Sequence, residues 1–521
     1  METDTSLPKL RRSLLREPEK FPAVRIGTTA AMPERVLQFG EGNFLRAFVD
    51  WQFNELINAG KFNGSIVVVQ PLENGMVDKL TEQDGLYTVV QRGFDNGTLV
   101  ERKDVVTAIR RCINPYRDYH DYIACASNPD LRYVISNTTE SGIEYVPQPK
   151  PSDRCPSSYP AKLAILLFER FTKFSGDPAK GMIVIPCELI ERNGDMLKEA
   201  VLRHGEDWGC GGAFRQWIEQ NNTFCNTLVD RIVPGYPKDE AAALCASFGY
   251  QDDLIVACEV FHKWVIQGNA AAQKELPFET IGLNVVWTDD ITPHRTLKVR
   301  ILNGAHTTFT IPALFAGKSF VKECMDDTLV GGFIREAVFD EILPTLEFDP
   351  EERQRFASAV LERFRNPYIK HALISITLNS ASKYKVRVLP SLLAYHAKHG
   401  TVPVRLSLGL AALLRFYRPS GTGPNGSVGT YQGKEYPIQD AEDVIAVFRA
   451  AWESAGQDHG AVTRRLLSSA ELWGTDLTAV PGLTDVVAAH LHAIDTGTMT
   501  DALHRQTAGS WNQKLMMHQN F

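Results

Sequence analysis

The sequence predicts an α/β protein in two parts, an N-terminal doubly wound sheet followed by a mostly α-helical C-terminal domain. Three observations predict it. At 521 residues the chain exceeds what one hydrophobic core usually supports. Its first half alternates short β-rich apolar runs with helical patterns, as a largely parallel sheet requires. Its second half carries long amphipathic stretches, among them GGFIREAVFDEILPTL, EERQRFASAVLERF, PVRLSLGLAALLRFYR and AEDVIAVFRAAWESA.

Residues 36–39, 65–70, 87–91, 132–136 and 181–186 read as strands. The change of character falls near residues 280–292, which divides the chain into 1–285 and 286–521. The Gly- and Ser-rich segment SGTGPNGSVGTYQG (420–433) reads as a surface loop inside the second part.

Hydrophobic residues make up 44% of the chain and charged residues 22%, so the chain is expected to fold. A net charge of −7, with basic and acidic residues interspersed, leaves no electrostatic footprint for nucleic acid or an anionic membrane surface. No apolar run approaches the roughly 18 residues that span a bilayer, and the opening METDTSLPKLRRSLLREPEKF lacks the apolar core of a secretory signal. A cytoplasmic protein with small-molecule partners is expected. Nine scattered cysteines without a C-x-x-C pair read as reduced thiols, and the thirteen histidines form no H-E-x-x-H. No catalytic metal is expected.

The run Val36-Leu37-Gln38-Phe39-Gly40-Glu41-Gly42-Asn43-Phe44-Leu45-Arg46 is an apolar strand, a glycine turn and a helix start. Gly40 permits the tight turn, Gly42 lets the backbone approach phosphate oxygens, and the helix opening at Asn43 points N–H groups at an anion. Arg46 stands one turn into the helix as a candidate positive charge. The third glycine of G-x-G-x-x-G is replaced by Leu45. The second strand ends at Gln70-Pro71, without the acid that usually holds the adenosine ribose, and Glu73 is the nearest substitute. The first part is therefore expected to be a Rossmann-like dinucleotide-binding domain.

Thr292 and Pro293 open a helix that carries Lys298, Asn303 and His306. At about 100° per residue these fall at about 0°, 140° and 80°, on one side of the helix. Such a trio suits hydride transfer at a carbon bearing oxygen. Lys298 would act as general base once burial or a neighbouring cation lowers its pKa towards about 7 to 8. Asn303 and His306 would donate to the developing alkoxide. Gly304 is expected to let substrate or nicotinamide approach the backbone.

The chain resembles the long-chain polyol-specific dehydrogenases typified by mannitol 2-dehydrogenase. Three motifs carry the resemblance: Lys298-x4-Asn303-x2-His306, the cofactor loop Phe39-Gly40-x-Gly42-x-Phe44-x-Arg46-Ala47, and Phe224-x2-Thr227-x-Val229-Asp230-Arg231-Ile232-x-Pro234. Longer strings, such as FGEGNFLRAFVDWQ, TEQDGLYT, SNTTESGI and RFRNPYIKH, are similar to the tagaturonate reductase branch. The resemblance implies metal-free, NAD-dependent interconversion of D-tagaturonate and D-altronate in hexuronate catabolism. Lys298 would be the general acid/base, with Asn303 and His306 as oxygen ligands.

Departures from the polyol pattern accompany the matches. Arg295 stands where those enzymes carry a glutamate thought to help the proton leave, and Glu140 matches another acid of that relay. Ser375 replaces a substrate-binding arginine, whereas Lys383 retains the family's lysine, so Lys383 is the expected carboxylate anchor, with Arg365, Lys370 and His371 near it in sequence. Asn193, in the turn Arg192-Asn193-Gly194, is a weaker substrate candidate, since Asn-Gly also serves turns for backbone reasons. Asp230 and Arg231 read equally well as a structural ion pair. Fructuronate reductase, a mannitol-type dehydrogenase and a non-catalytic dinucleotide sensor are the alternatives. The intact trio counts against the sensor.

Overall fold

A computed structural model describes residues 7–423 and 426–507. The chain forms two compact units, Met1–Thr292 and Pro293–Phe521.

The first unit is organised by a six-stranded parallel sheet of β1 (Glu34–Phe39), β2 (Ser65–Val69), β3 (Ile109–Ile113), β4 (Tyr133–Ser136), β5 (Ile183–Pro186) and β6 (Thr223–Phe224). The spatial order is β3-β2-β1-β4-β5-β6, the order of dinucleotide-binding sheets. The strands β2, β4 and β5 read as nearly continuous apolar runs because both faces are covered. Alternate side chains go to different cores: Val36, Ile66, Val68 and Ile135 pack with Phe48, Phe53 and Leu56, whereas Leu37, Val67, Val69 and Val134 pack with Leu163, Leu166 and Leu167 of the helix Tyr159–Lys173.

Between β2 and β3 the chain makes an excursion. Tyr87–Asp95 and Thr98–Val106 form an antiparallel hairpin around Asn96 and Gly97, both at positive φ. Asn-Gly favours that turn. The run at 87–91 therefore lies in a separate four-stranded sheet with Val256–Glu259 and Arg25–Ile26 and not in the parallel one. Val285–Thr288 is the parallel partner of Lys263–Gln267, so the first unit extends past this strand to Thr292.

The second unit is mostly helical, with one exception. The 420–433 segment, expected as a loop, supplies most of a three-stranded antiparallel sheet of Pro419–Gly423, Gly426–Tyr431 and Lys434–Pro437, although residues 424 and 425 lie outside the described ones. Its Gln432-Gly433 turn has positive φ at both positions, and Tyr431 stacks on Phe315 at 4.0 Å. Among the described residues no helix is long and apolar enough to cross a membrane.

Candidate active site

In the first unit the pairing register places Phe39 level with Val69 and Ser136, so the loops leaving β1, β2 and β4 emerge together at one edge. The strand order reverses there, where open α/β sheets hold their ligands. A cavity of about 350 Å³ lies at this edge, lined by Gly40, Glu41, Gly42, Pro71, Leu72, Asn137, Thr138 and Tyr159 among others. Gly40 has φ +123°, and a Cβ there would meet the Leu45 side chain at 2.9 Å. Gly42 faces open space, with nothing within 4 Å of a would-be Cβ. It precedes the helical run Asn43–Leu45, Arg46–Asp50 and Trp51–Asn58, whose middle part is a π turn. An open glycine, a helix start and a cavity at the switch point fit a dinucleotide pyrophosphate.

The neighbouring side chains sort into those that line this cavity and those that brace it. Phe39 is fully buried, its ring 4.9 Å from that of Tyr159, so it anchors the loop from the core. Phe44 stacks on Phe48 at 5.0 Å. Arg46, expected as a charge for phosphate, is 1% exposed and donates to the Glu41 carbonyl (3.1 Å), the Leu254 carbonyl (2.5 Å) and Asn43 Oδ1 (2.7 Å), while lying over the Tyr87 ring. It clamps the loop from beneath. Glu73 is exposed, and its backbone carbonyl accepts from Gln70 Nε2 at 2.9 Å.

The loop after β4 is held by Glu188, which sequence reasoning missed within the string IPCELI. Its buried carboxylate accepts from the Thr138 backbone (2.9 Å), the Thr138 hydroxyl (3.1 Å) and the Ser136 hydroxyl (3.1 Å), and burial raises its pKa. Glu140 opens the turn Glu140–Ile143, and its side chain lies outside the described part of the structure. Asn193 does not present itself to a substrate. It is 0% exposed, its amide nitrogen reaching the carbonyls of Pro186 and Glu188 and the Thr227 hydroxyl, its oxygen accepting from the backbone of Gly194 and Thr227. Every polar atom of its side chain is engaged, so it splices the end of β5 to the strand Asn226–Asp230. Arg231 is equally internal, donating to the Glu259 and Ala47 carbonyls and to Gln91 Oε1.

In the second unit Thr292–Lys298 is α-helical, Val299–Asn303 is a π turn, and Gly304–Phe315 is α-helical again. A π turn advances each residue by roughly 80° instead of 100°. Asn303 is thereby brought to about 40° from Lys298 in place of about 140°, and His306 to about −20°. The three share a narrower face than an unbroken helix would give them. Asn303 and Lys298 are half-buried and His306 is buried. The His306 ring lies 4.3 Å from Phe364 and 5.2 Å from His371, whose pKa burial lowers. The Thr307 and Thr310 hydroxyls donate back to the carbonyls of Asn303 and His306.

Gly304 serves packing and not ligand approach. A Cβ there would lie 3.1 Å from the Arg387 carbonyl oxygen, so glycine lets the helix Ser380–Arg387 close onto the segment carrying Asn303 and His306. That helix bears Lys383, half-buried, with Nζ donating to the Ile376 carbonyl at 3.0 Å and its pKa lowered by burial and by Arg387. Arg387, one turn on and on the same face, is half-buried with its pKa also lowered by burial, and has no hydrogen-bond or ion-pair partner among the described residues. The i, i+4 spacing in Ser-Lys-Tyr-Lys-Val-Arg was the available signal for it. Arg365 and Lys370 are exposed.

Comparison with known proteins agrees with both units. The profile described as the mannitol dehydrogenase Rossmann domain matches residues 34–280, and that of the mannitol dehydrogenase C-terminal domain matches residues 290–495. Altronate oxidoreductase of Shigella flexneri is 45% identical over 479 residues, 91% of this chain and 97% of that protein. Its counterpart from Cronobacter sakazakii is 46% identical over 470 residues, 89% and 95% of the two chains. Among solved structures, Pseudomonas fluorescens mannitol 2-dehydrogenase, in ternary complex with NAD and D-mannitol, superposes with a TM-score of 0.66 at 22% identity, covering 96% of this chain and all of that one. A substrate-free D-sorbitol dehydrogenase gives 0.75 at 22% identity, covering 95% and 100%. With both domain profiles matched in order and relatives about 45% identical over about nine-tenths of its length, the chain belongs to the mannitol dehydrogenase family of oxidoreductases acting on CH–OH groups.

Proposed function

We propose that this protein is an NAD-dependent, metal-independent reductase that interconverts D-tagaturonate and D-altronate in the cytoplasm, within hexuronate catabolism. The observation that carries the chemistry is the π turn that sets Lys298 and Asn303 on one face with His306. The substrate class is supported by identity of about 45% to altronate oxidoreductases over nine-tenths of the chain, and the cofactor by the family and the glycine-lined cavity.

Gly40, Gly42 and the N–H groups at Asn43 would hold the dinucleotide, with Arg46 and Phe39 bracing them. When bound, NADH supplies the hydride that reduces the substrate carbonyl carbon. Asn303 and His306 donate hydrogen bonds to the carbonyl oxygen, stabilising the negative charge that develops on it. Lys298 gives a proton to this oxygen in reduction and removes it in oxidation. Lys383 and Arg387 supply cations for the substrate carboxylate, which needs charged donors to offset its loss of water.

An NADH oxidation assay against D-tagaturonate, D-fructuronate and D-fructose tests the reading. D-Tagaturonate is expected to give the highest kcat/KM. Equal or faster turnover of D-fructuronate would reassign the substrate, and preference for D-fructose would remove the acid from the reading altogether.

A further inference from the structure

The end of β2, where dinucleotide sheets usually place the acid that holds the adenosine ribose, offers only Gln70, and Gln70 is engaged. It is 3% exposed, its Nε2 donates to the Leu72 and Glu73 carbonyls, and its Oε1 accepts from the Val77 backbone at 3.4 Å. Glu73 is exposed and is not among the residues that line the cavity.

A different carboxylate reaches this place. Glu41, between the two loop glycines, is 7% exposed and lines the cavity together with Gly40, Gly42, Pro71 and Leu72. Its Oε1 accepts from the Met76 backbone at 3.0 Å, in the loop that follows β2. A Cβ built at Gly75 would lie 2.2 Å from Glu41 Oε1 and 2.6 Å from Gln70 Oε1, so the carboxylate rests against the end of β2. Glu41 Oε2 is buried with no hydrogen-bond partner. A buried carboxylate oxygen without a donor is costly, and burial accordingly raises the Glu41 pKa. A ligand hydroxyl would pair it.

We propose that Glu41 is the ribose-binding acid of this protein: its unpaired oxygen accepts from a hydroxyl of the adenosine ribose, a role moved from the end of β2 to the middle of the glycine loop. This rests on the reading that the cavity takes a dinucleotide. It carries a consequence for cofactor choice. No lysine or arginine lines the cavity, and a carboxylate at the ribose repels a 2′-phosphate, so the same residue selects NAD over NADP.

Equilibrium binding of NADH, NADH lacking the adenosine 2′-hydroxyl, and NADPH to the wild type, Glu41→Met and Glu41→Gln tests this. The wild type is expected to lose roughly tenfold in affinity when the hydroxyl is removed, as for a hydrogen bond to a charged group. Glu41→Met is expected to bind NADH roughly tenfold more weakly and to be indifferent to the hydroxyl. Glu41→Gln, which removes the charge but keeps an acceptor for the Met76 backbone, is expected to bind NADPH more tightly than the wild type does. The proposal is overturned if the wild type does not distinguish NADH from its deoxy form, a result that needs no variant to fold. It is also overturned if the losses from the variant and from the deoxy ligand multiply. Failure of the wild type to bind NADH at all is a separate result, which defeats the dinucleotide reading itself.

Discussion

Lys298 and Asn303 stand one π turn apart, at the two ends of the Val299–Asn303 segment. In an unbroken α-helix five residues would separate them by about 140°, and the wider turn narrows this to about 40°. Under the proposed mechanism Asn303 would then donate to the same oxygen that Lys298 would protonate. Asn303→Ala is expected to lower kcat by about 10² to 10³, the usual cost of removing one donor to a developing oxyanion, with NADH affinity unchanged. A fall in NADH affinity with kcat preserved would contradict this placement.

Much of the fold and part of the site are legible in the sequence, and the differences have local causes. The strand-turn-helix at Val36 to Arg46 is visible because apolar runs and glycines report directly on backbone geometry. The strand at Ile109–Ile113 is not, since IRRCI has charged residues at its centre; Arg111 is accommodated by pairing with Glu34 and Asp121, contacts distant in sequence. The Gly-rich 420–433 segment hides a hairpin because a glycine is needed at Gly429, where the Tyr436 ring lies 2.5 Å from a would-be Cβ. Residue type alone also cannot tell a ligand from a brace: Arg46, in the cofactor-loop motif, and Asn193, a weaker candidate read from its turn, both bond inward, while Glu41 looks incidental and carries the unpaired oxygen.

Two cations one helical turn apart should share a carboxylate. Lys383→Met and Arg387→Met are each expected to raise KM for D-tagaturonate by an amount in keeping with a lost charge-assisted contact of about 1.5 to 3 kcal/mol, and to change any weak turnover of D-fructose much less. Steady-state kinetics on both substrates check this. Equal losses on the charged and neutral substrates would show that the pair supports the helix or reads hydroxyls.

Asp50 makes stability depend on pH. It is 0% exposed, Tyr87 donates to its Oδ2 at 3.1 Å, and burial outweighs that bond and pushes the carboxyl up to about 7. An unfolded aspartate titrates near about 3.9. The folded state therefore keeps a proton that the unfolded state has released. The stabilising contribution is full below about pH 4, declines as pH rises to about 7, and is flat above. Asp50→Asn removes the group, so between about pH 5 and about pH 7.5 the variant is expected to gain on the order of 1 to 3 kcal/mol relative to wild type. Urea melts at the two pH values would refute this if the two proteins changed in parallel.

Chelation is expected to leave activity intact, because in the proposed mechanism Lys298 would supply the proton transfer that a metal-bound hydroxide or Lewis acid would otherwise assist. Among the described residues no three of His, Cys, Asp and Glu gather as a metal site. Complete loss with EDTA, restored by zinc, would oppose the expectation.

The most direct test of the account is kcat for D-tagaturonate reduction by Lys298→Ala, measured beside its NADH affinity. With Lys298 as the acid/base and the dinucleotide held at Gly40 to Asn43, kcat is predicted to fall by about 10² to 10⁴ while the Kd for NADH stays near the wild-type value. A kcat close to wild type would show that another group moves the proton and would contradict the central assignment.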